Sequence, residues 1–331
     1  MKLTIEQIKK ITKGAVRIEE RDSRIAFFRF TKEQEDAYSK WDADFYKKTF
    51  ATAGVKLDFY TDSQSLFIKT RSVSAASRRF LANDIFVDGK LVGQVGASFE
   101  DCEAAPDYTY LSGKFELGEG QKRVCVFLPW AFSSQLCEFS LDDGASLEPV
   151  ESKIKMIMFG DSITHGYDAS SPSNAYSVRL ASLLEADAVN KAIGGEKFRP
   201  ELAAMHDGFE PDIITVAYGT NDWNSSSKET FDRDCKGFYD NLAKNYPNAK
   251  IFALTPIWRA DLNDKKDVGD FSYVSKYINE VTKEHKNITV IEGIDLVPHD
   301  TSLFSDKFLH PNDKGFDCYV KNLYKKIKDL I

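Results

Sequence analysis

From residue 154 onward, short and continuously apolar runs alternate with longer amphipathic segments, and this rhythm limits the fold more than any other feature of the chain. The runs lie at 154–159, 188–192, 213–217, 251–254 and 288–291. Helical spacing fills the intervals at 176–185, 200–206, 229–245 and 271–285, and a last helix is expected over 314–331. A strand that is apolar at every position is buried on both faces, and strands joined through helices run parallel. The region 153–331 is therefore expected to be a doubly wound α/β domain, with a parallel sheet covered by helices.

Ahead of it the pattern is different. Short extended runs at 15–18, 25–30, 55–60, 66–71, 84–87, 91–95, 114–117, 124–128 and 136–141 are rich in Val, Ile, Phe and Tyr and are bounded by Gly, Asp, Ser or Pro. Asp88 and Gly89 supply the positive φ angles of a two-residue hairpin. A short helix opens the chain, with Thr4 and Gln7 spaced as a capping box, and a helical insertion at 32–52 follows a second such pair, Thr31 and Gln34. So many strands with so little helix predict a β-sandwich or jelly roll over 1–145. The seam falls in 142–153, where no periodicity survives, and 331 residues accommodate two domains.

Composition narrows the function. With Lys+Arg 44 against Asp+Glu 51, the net charge of −7 argues against a nucleic-acid partner. The five cysteines, Cys102, Cys125, Cys137, Cys235 and Cys318, have no metal-ligand spacing, so neither a structural zinc nor a disulfide framework is expected. Charge interrupts the apolar positions of the N-terminus, and no run approaches the length of a membrane span. A soluble, cytoplasmic protein without a membrane partner is expected; nothing in the sequence sets its oligomeric state.

Ligands of an open parallel sheet bind outside the carboxyl ends of its strands. Those ends carry Gly160, Asp161 and Ser162 after the first run, Ile193, Gly194 and Gly195 after the second, Gly219 to Asp222 after the third, and Asp306 to Asn312 before the final helix. They contain the parts of a hydroxyl-nucleophile system. Ser162 would attack an acyl carbonyl, His310 would act as general base and then acid, and Asp306 would orient the imidazole. The backbone N–H groups of Ser162 and Gly195 and the side-chain amide of Asn221 would meet the oxyanion, where losing one side-chain donor costs about 2.7 to 4 kcal/mol. His165 reads as a turn residue, His206, His285 and His299 have no partner pattern, and Asp161 and Asp222 read as braces for backbone turns. Gly194 and Gly195 lack the spacing of a phosphate-binding loop. Trp223, Trp258 and Arg259 follow strand ends, where they could line a pocket or close the core.

In this order the four blocks resemble the SGNH (GDSL-type) hydrolase superfamily over 153–331. The resemblance implies a three-layer α/β fold and an esterase that needs no metal or cofactor. The family's motif favours Gly195 over Gly194 as donor. It usually places Asp three residues before His, whereas Asp306 stands four before His310; Asp300 or a backbone carbonyl are the alternatives for the orienting group. Together with the preceding sandwich, the architecture resembles carbohydrate esterase family 2 and related acetylesterases, which implies a small-molecule or oligosaccharide ester as substrate, an O-acetyl ester first among these. A lipid or acyl-thioester hydrolase of the same fold is the alternative within hydrolases, and a non-catalytic carbohydrate-binding protein the alternative outside them.

Overall fold

Alternation of buried and outward side chains governs the strands of the first half. The computed structural model describes residues 1–78, 80–97 and 108–331, so Cys102 lies outside the described residues. The chain divides into two compact units. The first comprises Met1–Thr31, Tyr38–Ser152 and Ser170–Ser173, and the second Lys32–Ala37, Lys153–Ala169 and Asn174–Ile331.

In the first unit, helix α1 (Ile5–Ile11) starts at the capping box of Thr4 and Gln7. One antiparallel sheet has the order β1 (Thr12–Lys13), β4 (Lys56–Thr61), β9 (Lys122–Phe127), β6 (Leu81–Val87) and β7 (Lys90–Ala97), with β11 (Glu148–Pro149) also paired to β4. The other has the order β2 (Arg17–Arg21), β3 (Arg24–Phe28), β10 (Phe132–Leu141), β5 (Ser65–Ser74) and β8 (Tyr108–Glu116). Leu57, Val124 and Val126 from the first sheet and Leu66, Ile68 and Leu136 from the second share one core; burial alternates along β5 and most of β9, whereas Lys56–Phe59 of β4 is buried throughout. The expected hairpin joins β6 to β7, with Asp88 at φ 48° and Gly89 at φ 77°.

The helical insertion is two helices rather than one. Helix α2 (Lys32–Trp41) stops where Asp42 turns extended and caps α3 (Ala43–Thr49), accepting the N–H groups of Asp44 and Phe45 at 2.8 and 2.9 Å. The leading residues of α2 group with the second unit. Gln34 there is fully buried, receives a hydrogen bond from Lys191 Nζ at 2.7 Å and donates to Asp207 at 3.1 Å. Lys191 and Asp207, also buried, form an ion pair, and Tyr246 donates to the other oxygen of Asp207 at 3.1 Å. In exchange, the first unit holds Ser170–Ser173, where Asp84 of β6 accepts the Ser171 hydroxyl and the Ser173 N–H.

The second unit is the α/β domain that its apolar rhythm predicts. Its parallel sheet has the order β13 (Ala186–Asn190), β12 (Ile154–Gly160), β14 (Ile213–Ala217), β15 (Lys250–Leu254) and β16 (Ile288–Ile291). Helices α5 (Tyr176–Leu183), α8 (Lys228–Asn245), α9 (Phe271–Thr282) and α10 (Asp313–Ile327) carry the amphipathic faces that bury it. Because β12 and β13 lie in reversed chain order, the winding changes direction between β12 and β14, the place where such sheets open a crevice. Gly160 pairs with Ala217 across these two strands, so both chains leave the sheet at one level.

Candidate active site

Each strand end at that crevice turns by a device written in its sequence. After β12, Asp161 caps the short helix α4 (Ser162–His165), accepting the Ile163 N–H at 3.0 Å, and this places Ser162 at the helix start. After β14, Gly219 at φ 113° lets the chain enter α7 (Thr220–Ser225), which carries Asn221. Following β16, Asn312 accepts the N–H groups of Lys314 and Gly315 and starts α10 just beyond His310.

Ser162 and His310, 148 residues apart, meet at 2.9 Å between Oγ and Nε2. The other ring nitrogen, Nδ1, lies 2.7 Å from Asp306 Oδ2, while Oδ1 of the same carboxylate accepts the N–H groups of Phe308, Leu309 and His310 at 2.9, 2.8 and 3.1 Å. Burial opposes ionisation of Asp306, but the His310 contact and the N–H groups of Leu309 and Phe308 outweigh it and hold this carboxyl well below the usual range. An ionised Asp306 can only accept, so Nδ1 carries the ring proton and Nε2 is free to accept from the Ser162 hydroxyl. Asp300, the fallback, instead accepts the Ser302 N–H and caps the turn at Thr301–Leu303.

The two glycines of the second block are explained differently. A Cβ at Gly194 would stand 2.4 Å from the Tyr167 ring, so close packing requires glycine there. Gly195 has φ 92° and is exposed. Asn221 donates from Nδ2 to the Glu196 carbonyl at 3.0 Å, which ties its turn to the glycine block and leaves its second N–H for another acceptor.

Buried acids surround these groups. Burial pushes Asp161 up to about 6, against the Ile163 N–H and the charges of His310 and Arg259, and pushes Asp222 up to about 7, against the N–H of Phe198. Both accept backbone N–H groups, Asp161 from Ile163 and Asp222 from Phe198 at 3.2 Å.

Two of the three expected pocket residues are not walls of an open pocket. Trp223 is fully buried and donates from Nε1 to the Gly269 carbonyl at 2.9 Å, and Arg259 is only 2% exposed. Neither can present a face to a sugar, because each spends its polar atoms inside the domain. Trp258 is partly exposed and stacks on His299 with ring centres 5.6 Å apart. Tyr167 was not foreseen. It is buried, and its ring stacks on His310 with centres 6.1 Å apart and planes 27° apart. The only sequence signal for it was its place five residues after Ser162. Asp168 was also missed; it accepts from the hydroxyl of Ser305, whose N–H donates to the His310 carbonyl at 2.9 Å.

A family model described as GDSL-like Lipase/Acylhydrolase matches residues 158–318. Among solved structures, the chain is similar to a salicylyl-acyltransferase, SsfX3, from a tetracycline biosynthetic pathway, at 22% identity and a TM-score of 0.82, covering 96% of this chain and 94% of that one. It is also similar to a candidate GDSL-like lipase from Bacteroides ovatus ATCC 8483, at 20% identity and a TM-score of 0.79, covering 100% and 97%. A family two carbohydrate esterase from Clostridium thermocellum in complex with cellohexaose aligns at 18% identity and a TM-score of 0.64, covering 85% and 93%. No curated protein matches the sequence. At these identities the structural likenesses show a shared two-part fold. No helix among the described residues is long and apolar enough to cross a membrane.

Proposed function

We propose that the chain, whose residues 158–318 match the model of the GDSL-like lipase/acylhydrolase family, is an ester hydrolase that removes O-acetyl groups from saccharides through Ser162, His310 and Asp306. The observation that carries this reading is the continuous line from Ser162 Oγ through His310 to Asp306, at 2.9 and 2.7 Å. In the proposed reaction Ser162 attacks the acetyl carbonyl while Nε2 takes its proton. The N–H groups of Ser162 and Gly195 and the free N–H of Asn221 receive the oxyanion. The imidazolium, balanced by Asp306, then protonates the departing sugar hydroxyl, and water repeats the sequence on the acetyl-enzyme.

Acetate as the acyl group is supported by the likeness to family two carbohydrate esterases. A saccharide is supported by the whole-chain likeness to carbohydrate esterases.

The test compares wild type and Ser162→Ala on acetylated oligosaccharides, with acetate release followed by mass spectrometry, and on 4-nitrophenyl acetate and octanoate. Wild type should deacetylate the oligosaccharides and prefer acetate over octanoate by at least about tenfold in kcat/KM, and Ser162→Ala should do neither. A preference for octanoate would make the protein a lipid or thioester hydrolase. Equal rates for wild type and Ser162→Ala would leave only a binding role.

A further inference from the structure

Arg259 follows β15 and is almost wholly buried, yet its charge is not used at any surface. Its guanidinium reaches both moving parts of the proposed reaction. Nη1 donates to the carbonyl of Thr220 at 3.1 Å and to its hydroxyl at 2.9 Å, which fixes the first residue of α7 immediately before Asn221. Nε and Nη2 form a two-pronged pair with Asp261. The guanidinium carbon also lies over the ring of Trp223 of α7, 4.8 Å from its centre, and over that of Phe308, 5.1 Å from its centre. Phe308 stands two residues before His310, its N–H is one of the three held by Asp306, and its carbonyl accepts the Ala260 N–H at 3.0 Å.

Each of these contacts uses a different property of guanidinium: planarity for the two rings, the fork for Asp261, and an additional donor for Thr220. Lysine supplies a charge without any of that geometry. One ring from the turn that carries Asn221 and one from the loop that carries His310 contact the same cation, which couples the two segments.

We infer that Arg259 is a positioning residue that holds the turn of Asn221 and the loop of His310 in place around Ser162. It touches neither substrate nor nucleophile and acts through Thr220 and Phe308. This rests on the reading of Ser162, Asn221 and His310 given above. Its effect is on transition-state geometry and not on substrate affinity, since displacing catalytic groups by about 1 Å costs up to about a hundredfold in rate.

The experiment measures the second-order rate at which an alkyl fluorophosphonate labels Ser162, read by intact mass, beside kcat and KM for 4-nitrophenyl acetate. The proteins are wild type, Arg259→Lys, Thr220→Val, Asn221→Ala and the double variant Arg259→Lys with Asn221→Ala, each checked for a cooperative thermal transition. Labelling needs the serine, its base and the oxyanion donors but no saccharide. Arg259→Lys should lower labelling and kcat by about ten- to a hundredfold with KM changed less than about threefold. Thr220→Val, which removes one acceptor and keeps the ion pair, should show a smaller loss in the same direction. In the Asn221→Ala background the part of the Arg259→Lys loss that runs through Asn221 disappears while the part that runs through His310 stays, so the double variant should lose clearly less than the product of the two single losses. Full multiplication of the two losses, or wild-type labelling by a folded Arg259→Lys, overturns the inference. If Arg259→Lys does not fold, the same two outcomes are read from Thr220→Val alone and combined with Asn221→Ala. Wild type that labels at Ser162 but leaves acetylated sugars intact would overturn the substrate reading and leave the role of Arg259 standing. Wild type that does not label at Ser162 overturns both.

Discussion

Replacing Asp306 by Asn separates the two tasks of its carboxylate. Oδ1 holds three backbone N–H groups and Oδ2 faces Nδ1 of His310. An amide oxygen can keep the three backbone bonds, so the loop should stay folded. The amide nitrogen then points at Nδ1 and donates to it, which puts the ring proton on Nε2, where Ser162 has to deliver its own. In serine proteases that tautomer reversal lowers kcat by about 10⁴. Here the pair is wetter, with side-chain exposures of 31% for Asp306 and 14% for His310, so water can restore part of the correct tautomer. We therefore expect kcat to fall by about 10² to 10³, or roughly 3 to 4 kcal/mol of barrier. The assay is initial rates on 4-nitrophenyl acetate for wild type, Asp306→Asn and Asp300→Asn, with thermal unfolding of each. Asp300→Asn should match wild type within about twofold, because its carboxylate only caps the Thr301–Leu303 turn. A folded Asp306→Asn with more than a third of wild-type kcat would refute the reasoning and hand the orienting role to a backbone carbonyl.

Three further outcomes are expected. Burial raises the Asp222 carboxyl from its unfolded value of 3.8 to about 7, so the folded state binds the extra proton and stability should fall as pH rises from about 4 to 7, by up to about 4 kcal/mol; urea unfolding at pH 5 and 8 should show a steeper fall for wild type than for Asp222→Asn, which keeps the smaller contribution of Asp161, and an equal slope in both would refute it. Lys191→Met leaves Asp207 charged and buried among Gln34 and Tyr246, at a cost of about 3 to 5 kcal/mol, and an unchanged melting temperature would show that the ion pair is not what holds that segment. A chelator should leave ester hydrolysis unchanged, since Ser162 and His310 supply the nucleophile and base in the proposed reaction. Loss on chelation with recovery by a divalent cation would move the chemistry to Asp168, Asp306 and His310, whose donor atoms lie within 4.8 Å of one another.

The parallel sheet was legible because its strands are apolar at every position, a signal that needs no knowledge of partners. The residues at the strand ends were legible for a related reason: Ser162 and Asn221 follow their strands directly, so locating the strand locates the residue. Arg259 shows where that logic ends. Its position after a strand end is the same as theirs, but its direction is decided by Thr220, Asp261, Trp223 and Phe308, three of them far away in sequence, and no local spacing records such a choice. Gln34 misled in the opposite way. Its spacing from Thr31 suits a local cap, but its burial and its bonds with Lys191 and Asp207 are a distant use that the spacing does not record.

The two exchanged segments also bear on how such a protein can change over generations. Because the α/β unit is assembled from Lys32–Ala37, Lys153–Ala169 and Asn174–Ile331, no single genetic junction excises it whole. A contiguous transfer beginning at residue 153 would leave Gln34 behind, stripping the buried Lys191 and Asp207 of the amide that bridges them, and would carry along Ser170–Ser173, whose hydroxyl and N–H partners are on Asp84 of the donor. A working graft of the α/β unit would therefore have to bring Lys32–Ala37 with it and supply new partners for Ser170–Ser173.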